Sequence, residues 1–178
     1  MIDVPGVATF AIEPHYCFAC GSLNTAGMQL DLHVERGRCW VELVLEPRFQ
    51  GWDGIAHGGI LCTVLDEVMA WALVGEDNWG LTARLNVDFK RPVEVGQALR
   101  AEGWITGSRR RIVDTAAQLV AADSGTLLAT ATGVYVSADE ARKAELRKRY
   151  GWTSLLATPD VPGAPEVPGA PETVDART

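Results

Sequence analysis

The sequence predicts an α+β fold: one long helix packed on one face of an antiparallel sheet of about five to six strands, followed by a charged surface helix. Three observations predict it. Residues 60–74 form a single apolar run of helical length. Four strand-like segments joined by tight turns follow it between residues 81 and 136. The chain has 178 residues, 47% of them hydrophobic, enough for one domain with a sizeable core. Hairpin-linked strands that come after one helix place that helix on a single sheet face. One helix leaves the rest of the sheet uncovered, so self-association is expected.

Each element has its own signal. Residues 1–37 read as irregular, with Gly21, Asn24 and Gly27 as turn signals and a short strand over 28–34. Residues 39–45 alternate and are rich in Trp, Val and Leu, as a strand requires. Residues 47–56 read as a loop punctuated by Gly51 and Gly54, and the helix runs from His57 to about Gly75. The 81–91 strand sets Leu81, Ala83, Leu85, Val87 and Phe89 on one face and Thr82, Arg84, Asn86, Asp88 and Lys90 on the other. Strands over 97–106, 111–121 and 126–136 follow, with turns at Gly107-Ser108-Arg109-Arg110 and Asp123-Ser124-Gly125. Ser137, with Glu140 three residues on, reads as the capping box of a second helix that ends near Tyr150. Beyond it, Val161-Pro162-Gly163-Ala164-Pro165-Glu166 repeats as Val167-Pro168-Gly169-Ala170-Pro171-Glu172. Such a segment buries no core, so the expected division is a domain over 1–150 and a disordered tail over 151–178.

Composition narrows the function classes. A net charge of −7 argues against a nucleic-acid partner. The start, Met1-Ile2-Asp3-Val4-Pro5-Gly6, has neither the basic nor the apolar part of a signal peptide. The 60–74 run is too short to span a bilayer and carries two acids at its centre. The expectation is a cytoplasmic protein with no membrane partner.

The chemistry centres on Asp66-Glu67 in that apolar run and on His57-Gly58-Gly59 just before it. Carboxylates are rarely buried unless paired or functional. Two glycines at a helix start let backbone N–H groups approach a ligand where partial positive charge accumulates. A carboxylate and such donors together point to acyl transfer. Glu67 lies about 100° round the helix from Asp66 and reads as a solvent or interface charge. Of four cysteines, Cys17 and Cys20 form a C-x-x-C with His15 two residues upstream. A structural role is the default. Metal and redox roles are the alternatives, with no second pair at finger spacing and no thioredoxin-like context to support them. Cys39 and Cys62 read as buried free thiols.

The residues Gly54-Ile55-Ala56-His57-Gly58-Gly59, with Asp66 nine residues after the histidine, resemble the hotdog-fold acyl-CoA thioesterases, in particular the PaaI-like branch. A second block matches as well: Gly80-Leu81-Thr82-Ala83-Arg84-Leu85-Asn86-Val87-Asp88-Phe89-Lys90-Arg91-Pro92, then Gly96. Cys17-Phe18-Ala19-Cys20-Gly21 with Asn24 and Gly27 is similar to the N-terminal segment of some members. The resemblance, over roughly residues 15–136, implies a hotdog fold and hydrolysis of an acyl-CoA thioester to free acid and coenzyme A. It implies Asp66 as the catalytic carboxylate, acting as nucleophile or as base on water. It implies Gly58 as backbone donor to the thioester carbonyl, His57 as an orienting residue, and Thr82 as a hydrogen-bonder near the water or carbonyl. Gly59, Gln50, Trp52, Lys90, Arg91, Arg109 and Arg110 are the candidate substrate-binding residues, with Arg84 and Arg111 as further basic contacts for coenzyme A phosphates.

Relatives often carry Asn or Gln six residues before the histidine. Here that position is Gly51, with Gln50 one residue earlier. No metal or separate cofactor is implied, since coenzyme A belongs to the substrate. Gly58 and Asp66, eight residues apart on one helix, are separated by about 12 Å along its axis, too far for both to reach one carbonyl. Two antiparallel helices across a two-fold interface solve this, so a homodimer is expected, and by resemblance a dimer of dimers. The rival readings are a non-catalytic acyl-CoA-binding hotdog module and an enoyl-thioester hydratase or dehydratase.

Overall fold

The computed structural model describes residues 2–4, 7–10 and 12–151; of residues 2–10 only the backbone course is given. The order is β1 (Ile2–Val4), β2 (Val7–Phe10), β3 (His33–Glu35), β4 (Arg38–Val44), a 3₁₀ turn (Pro47–Phe49), β5 (Gln50–Trp52), β6 (Ile55–Ala56), α1 (Gly58–Val74), β7 (Gly80–Phe89), β8 (Ala98–Arg109), β9 (Ile112–Ala121), β10 (Leu127–Ser137) and α2 (Glu140–Arg149). The central sheet has six strands in the order β3-β4-β8-β9-β10-β7, every pair antiparallel. Two small hairpins, β1-β2 and β5-β6, stand apart from it. No described helix is long and apolar enough to cross a membrane.

Period-two patterning builds the sheet's two faces. In β4 and β8, Cys39, Val41, Leu99, Ala101 and Gly103 point inward and are buried. Trp40, Glu42, Arg100 and Glu102 alternate with them on the other face. There the Trp40 ring stacks on His33 and meets the guanidinium groups of Arg38 and Arg100. α1 lies across the inner face with Val64, Leu65, Val68, Met69 and Ala72 fully buried. Its closest approach is at Gly103, where a Cβ would sit 2.7 Å from Met69 N and Val68 C. Any side chain there would push the helix off the sheet.

Before residue 38 the structure adds β1 and β2 to a stretch expected to be irregular and places the short strand expected over 28–34 at His33–Glu35, and it departs from the sequence reading in four places further on. The loop expected over 47–56 holds the 3₁₀ turn and the β5-β6 hairpin, closed by Gly54 N–H donating to Gln50 Oε1 (3.2 Å). The turn expected at residues 107–110 lies later: β8 runs to Arg109, and Arg110, at φ +56°, turns the chain with Arg111. A bulge between Ile105 and Gly107 takes up the extra residue. α2 is capped by Asp139, whose Oδ1 accepts from Arg142 N (2.8 Å), and not by Ser137. Ser137 is the last residue of β10 and is buried, with no hydrogen bond to Oγ among the described residues. Both Ser137 and Asp139 suit a cap, and sheet pairing of Ser137 with Gly80 decides between them.

The fourth departure matters most for function. Tyr135 pairs with Thr82, yet Val134 pairs with Arg84, so Ala83 is the extra residue of a bulge in β7. The bulge resets the strand's phase. Thr82 joins Leu85 and Val87 on the α1 side, rather than sharing a face with Arg84 and Asn86. Leu81 is left 81% exposed. The tail beyond residue 151 lies outside the described residues.

Candidate active site

α1 begins where the β5-β6 hairpin delivers His57. Its Nδ1 accepts from Gly59 N (2.9 Å) and caps the helix, while its own N–H donates to Phe49 O (2.9 Å). The Gly59 donor is therefore engaged, and Gly58 N–H has no backbone partner among the described residues. Gly58 faces a cavity of about 370 Å³ lined also by Ile55, Leu61, Phe89, Lys90 and Arg91. The structure thus brings the helix N-terminus and two of the expected basic residues together. Arg109 and Arg110 lie elsewhere. Ile112, beside their turn, aligns with Val136 and Leu81 at the start of β7, whereas Lys90 and Arg91 follow its end. In one chain the two basic groups are separated by the length of β7. Trp52 is 84% exposed and lines no part of this cavity.

Two turns along α1 the half-buried Asp66 faces β7 and β10. Its Oδ1 accepts from Thr82 Oγ1 (2.9 Å) and from Tyr135 OH (2.7 Å), and the Tyr135 hydroxyl also reaches Asp66 O (3.0 Å). Oδ2 has no hydrogen bond among the described residues. Burial pushes the Tyr135 hydroxyl's pKa up, and the adjacent Asp66 carboxylate pushes it further. It stays a donor at neutral pH. Sequence reasoning missed Tyr135. Its only signal was a tyrosine on the inward face of a core strand, where a buried hydroxyl must find a partner.

Glu67 is not the solvent charge the sequence suggested. It turns towards residues 15–20, accepts from Trp71 Nε1 (2.9 Å) and lies 3.8 Å from Cys17 Sγ. Burial raises its pKa to about 7. The helix rotation was read correctly, but the N-terminal segment that covers this side of α1 was not foreseen.

Gly51, which replaces the amide of many relatives, packs on His57: a Cβ there would lie 3.1 Å from His57 Cα. Gln50, one residue earlier, accepts from Gly54 N–H through Oε1, which leaves its Nε2 as the donor that could meet a carbonyl. The edge strand β7 completes the picture. Its outer edge is unpaired over ten residues among the described residues, Phe89 is 52% exposed beside Gly58, and Leu81 is more exposed still. A long apolar edge of this kind invites pairing with a second chain.

Residues 53–128 match the family model of the thioesterase superfamily. The acyl-coenzyme A thioesterase THEM4 of Bos taurus is 29% identical over 93 residues, 52% of this chain and 38% of that protein. The chain spans only 38–40% of the length of the curated relatives it matches. A thioesterase superfamily protein of known crystal structure matches with 25% identity and a TM-score of 0.63, over 68% of this chain and 60% of its own. A Streptococcus mutans protein bound to acetyl CoA follows at 17% identity and TM-score 0.58, over 61% and 88%. The E. coli PaaI protein of the phenylacetic acid degradation operon has 18% identity and TM-score 0.57, over 60% and 82%. The last two likenesses speak for the fold alone. Residues 53–128, which hold His57, Gly58, Asp66 and Thr82, are thus similar to the thioesterase superfamily, and the chain carries the hotdog fold of its thioesterase neighbours.

Proposed function

We propose that this chain hydrolyses an acyl-coenzyme A thioester to the free acid and coenzyme A, as a PaaI-like hotdog thioesterase. The observation that carries the reading is Asp66, held through Oδ1 by Thr82 and Tyr135 with Oδ2 left for chemistry. The thioester carbonyl accepts from Gly58 N–H at the start of α1, where the helix dipole favours developing negative charge. Asp66 belongs to the facing chain, because about 12 Å of helix separates the two groups in one chain. Oδ2 takes a proton from water as the water attacks the carbonyl carbon. The C–S bond then breaks, and the thiolate leaves and is protonated. Direct attack by Oδ2, with hydrolysis of the resulting anhydride, gives the same products. Label in Asp66 after a single turnover in ¹⁸O-water would establish direct attack, since it enters only when water opens the anhydride at the aspartyl carbonyl.

Lys90 and Arg91 beside the cavity suit the coenzyme A phosphates. Antiparallel pairing of β7 with its partner copy would bring the partner's Arg109–Arg110 turn towards them. The reading includes a homodimer, further paired as a dimer of dimers, working in the cytoplasm with neither nucleic acid nor membrane as partner. It uses no separate cofactor and no metal in the catalytic step.

Thiol release from short, medium, long and aromatic acyl-CoAs tests the reading, comparing the wild type with Asp66→Asn. Release by the wild type and its loss in the near-isosteric variant, with fold and assembly intact, is expected. One observation favours a second reading, a non-catalytic acyl-CoA-binding module: Gly51 supplies no amide at the position relatives use. Tight binding of every thioester without thiol release would establish that reading instead.

A further inference from the structure

Residues 15–21 fold into a knuckle against the Glu67 side of α1, with Ala19 part of the core and Cys17 and Cys20 packed against it. Gly21 N–H donates to Cys17 O (3.0 Å), and a Cβ on Gly21 would lie only 2.4 Å from Cys17 N, so the turn admits no side chain there. The turn presents both sulfurs to Glu67. One donor atom each from Cys17, Cys20 and Glu67 lies within 4.8 Å of the others. A tetrahedral ion with metal–sulfur bonds of about 2.3 Å and metal–nitrogen or –oxygen bonds of about 2.0–2.2 Å holds its ligand atoms roughly 3.5–3.8 Å apart. Glu67 Oε1 is 3.8 Å from Cys17 Sγ, and His15 Nε2 is 3.4 Å from Cys20 Sγ.

The surroundings match a metal centre in three further ways. His15 Nδ1 lies 3.2 Å from Glu13 O, a contact that requires the proton on Nδ1 and leaves the Nε2 lone pair on the Cys20 side. A ligating histidine is oriented in this manner by a backbone carbonyl. Trp71 Nε1 fixes Glu67 through Oε1, as an outer partner of a ligating carboxylate does. Among the described residues no lysine or arginine forms an ion pair with Glu67, so two thiolates and a carboxylate here would need a bound cation.

We infer that Cys17, Cys20 and Glu67 bind one divalent ion of the zinc class between the N-terminal segment and α1, with His15, which reaches Cys20 Sγ but lies outside the three-residue cluster, turning in to complete a tetrahedral set. Two thiol protons leave to solvent as the ion binds. The ion joins the irregular N-terminal stretch to the helix residue next to Asp66, so its role is to hold α1 in place rather than to act on substrate. All four positions are filled by protein, as in a structural site.

Metal content of the full chain, loaded with zinc and dialysed against metal-free buffer, tests this together with the absorption spectrum of the cobalt-substituted protein. One equivalent per chain is expected, with a sulfur-to-cobalt charge-transfer band and the visible bands of tetrahedral cobalt. Cys17→Ser and Cys20→Ser lose the ion and the band, while Cys62→Ser, on α1 but outside the cluster, keeps both. Glu67→Gln preserves volume and the Trp71 bond, so it folds even if a cysteine variant does not. It weakens zinc at least about tenfold, the loss that removal of even an outer partner causes. The inference fails if the reduced wild type retains no stoichiometric zinc, if both cysteine variants retain it, or if Glu67→Gln binds with unchanged affinity and spectrum. A Cys17–Cys20 disulfide in protein that ignores zinc when reduced would replace it with a redox role. None of these readouts depends on turnover, so they stand apart from the thioesterase reading.

Discussion

Replacing Tyr135 with Phe removes one oxygen from a fully buried ring and leaves the packing of β10 intact. Asp66 Oδ1 loses its 2.7 Å donor and Asp66 O its 3.0 Å donor, so Thr82 remains as the only donor to Oδ1 among the described residues. Hydrogen bonds to charged groups contribute about 1.5–3 kcal/mol each, and at neutral pH the variant should be less stable by that amount. For a chain of this size the change corresponds to a Tm lower by roughly 3–12 °C.

The pH dependence adds a sharper signature. The folded-state pKa of Tyr135 is raised, first by burial and then by the Asp66 carboxylate. A raised pKa means stability that is complete below the unfolded value, about 10 for tyrosine, and that is lost as pH climbs above it. One pH unit above that value the wild type has lost about 1.4 kcal/mol through this residue. Phe cannot ionise, so the gap between the proteins should narrow by that amount. Urea denaturation of both proteins at pH 8 and pH 11 measures it. A gap below about 0.5 kcal/mol at pH 8, the range of neutral surface changes, or one that is the same at both pH values, would show that Tyr135 merely fills space.

Further predictions follow from other parts of the fold. Gly103→Ala must open a 2.7 Å approach to the backbone of α1 towards the 3.4 Å of ordinary contact, costing about 1–3 kcal/mol in urea unfolding and lowering thiol release by shifting Asp66. Asp139→Ala should cost about 1 kcal/mol of α2 stability, read as faster hydrogen exchange over residues 140–149. Ser137→Ala should stay within about 0.5 kcal/mol, reversing the order the capping-box pattern implies. Gly58→Pro removes the proposed carbonyl donor at the first helical position, where proline is tolerated. Mixing that variant with Asp66→Asn should restore about a quarter of wild-type turnover, because random pairing makes half the dimers mixed and each mixed dimer has one intact site. No recovery, in mixtures shown to exchange subunits, would place both groups in the same chain. Lys90→Ala should raise KM about fivefold with kcat nearly constant, the effect of about 1 kcal/mol from an exposed charge.

Much of this was legible in the sequence because local patterns carried it. The 60–74 run fixed α1 to within a few residues, and β9 and β10 fell within one residue of their expected bounds. His57, Gly58 and Asp66 were found as a spacing on one helix. What escaped depended on partners far away in the chain. Tyr135 lies 69 residues from Asp66, and Cys17 lies 50 residues from Glu67, so neither contact leaves a local trace. Strict alternation put Thr82 with Arg84, and only the pairing with β10 shows that the strand changes phase. The cap of α2 was misplaced because two residues of suitable chemistry stand two positions apart and the sheet claims the first.

The bulge at Ala83 also determines how this strand answers to changes in length. Most substitutions in β7 act by degrees, each altering one contact. Losing the extra residue would act differently: Thr82 would stand two positions before Leu85 in an unbroken ladder with β10, and its hydroxyl would stay on the side of Asp66. A β7 shortened by one at the bulge could therefore keep the fold, the core and the support of the acid, whereas a regular strand of the present length would turn the hydroxyl to the far face. Among chains with this architecture, the residue count between Thr82 and Leu85 therefore tells whether a bulge is needed to bring the hydroxyl to the acid.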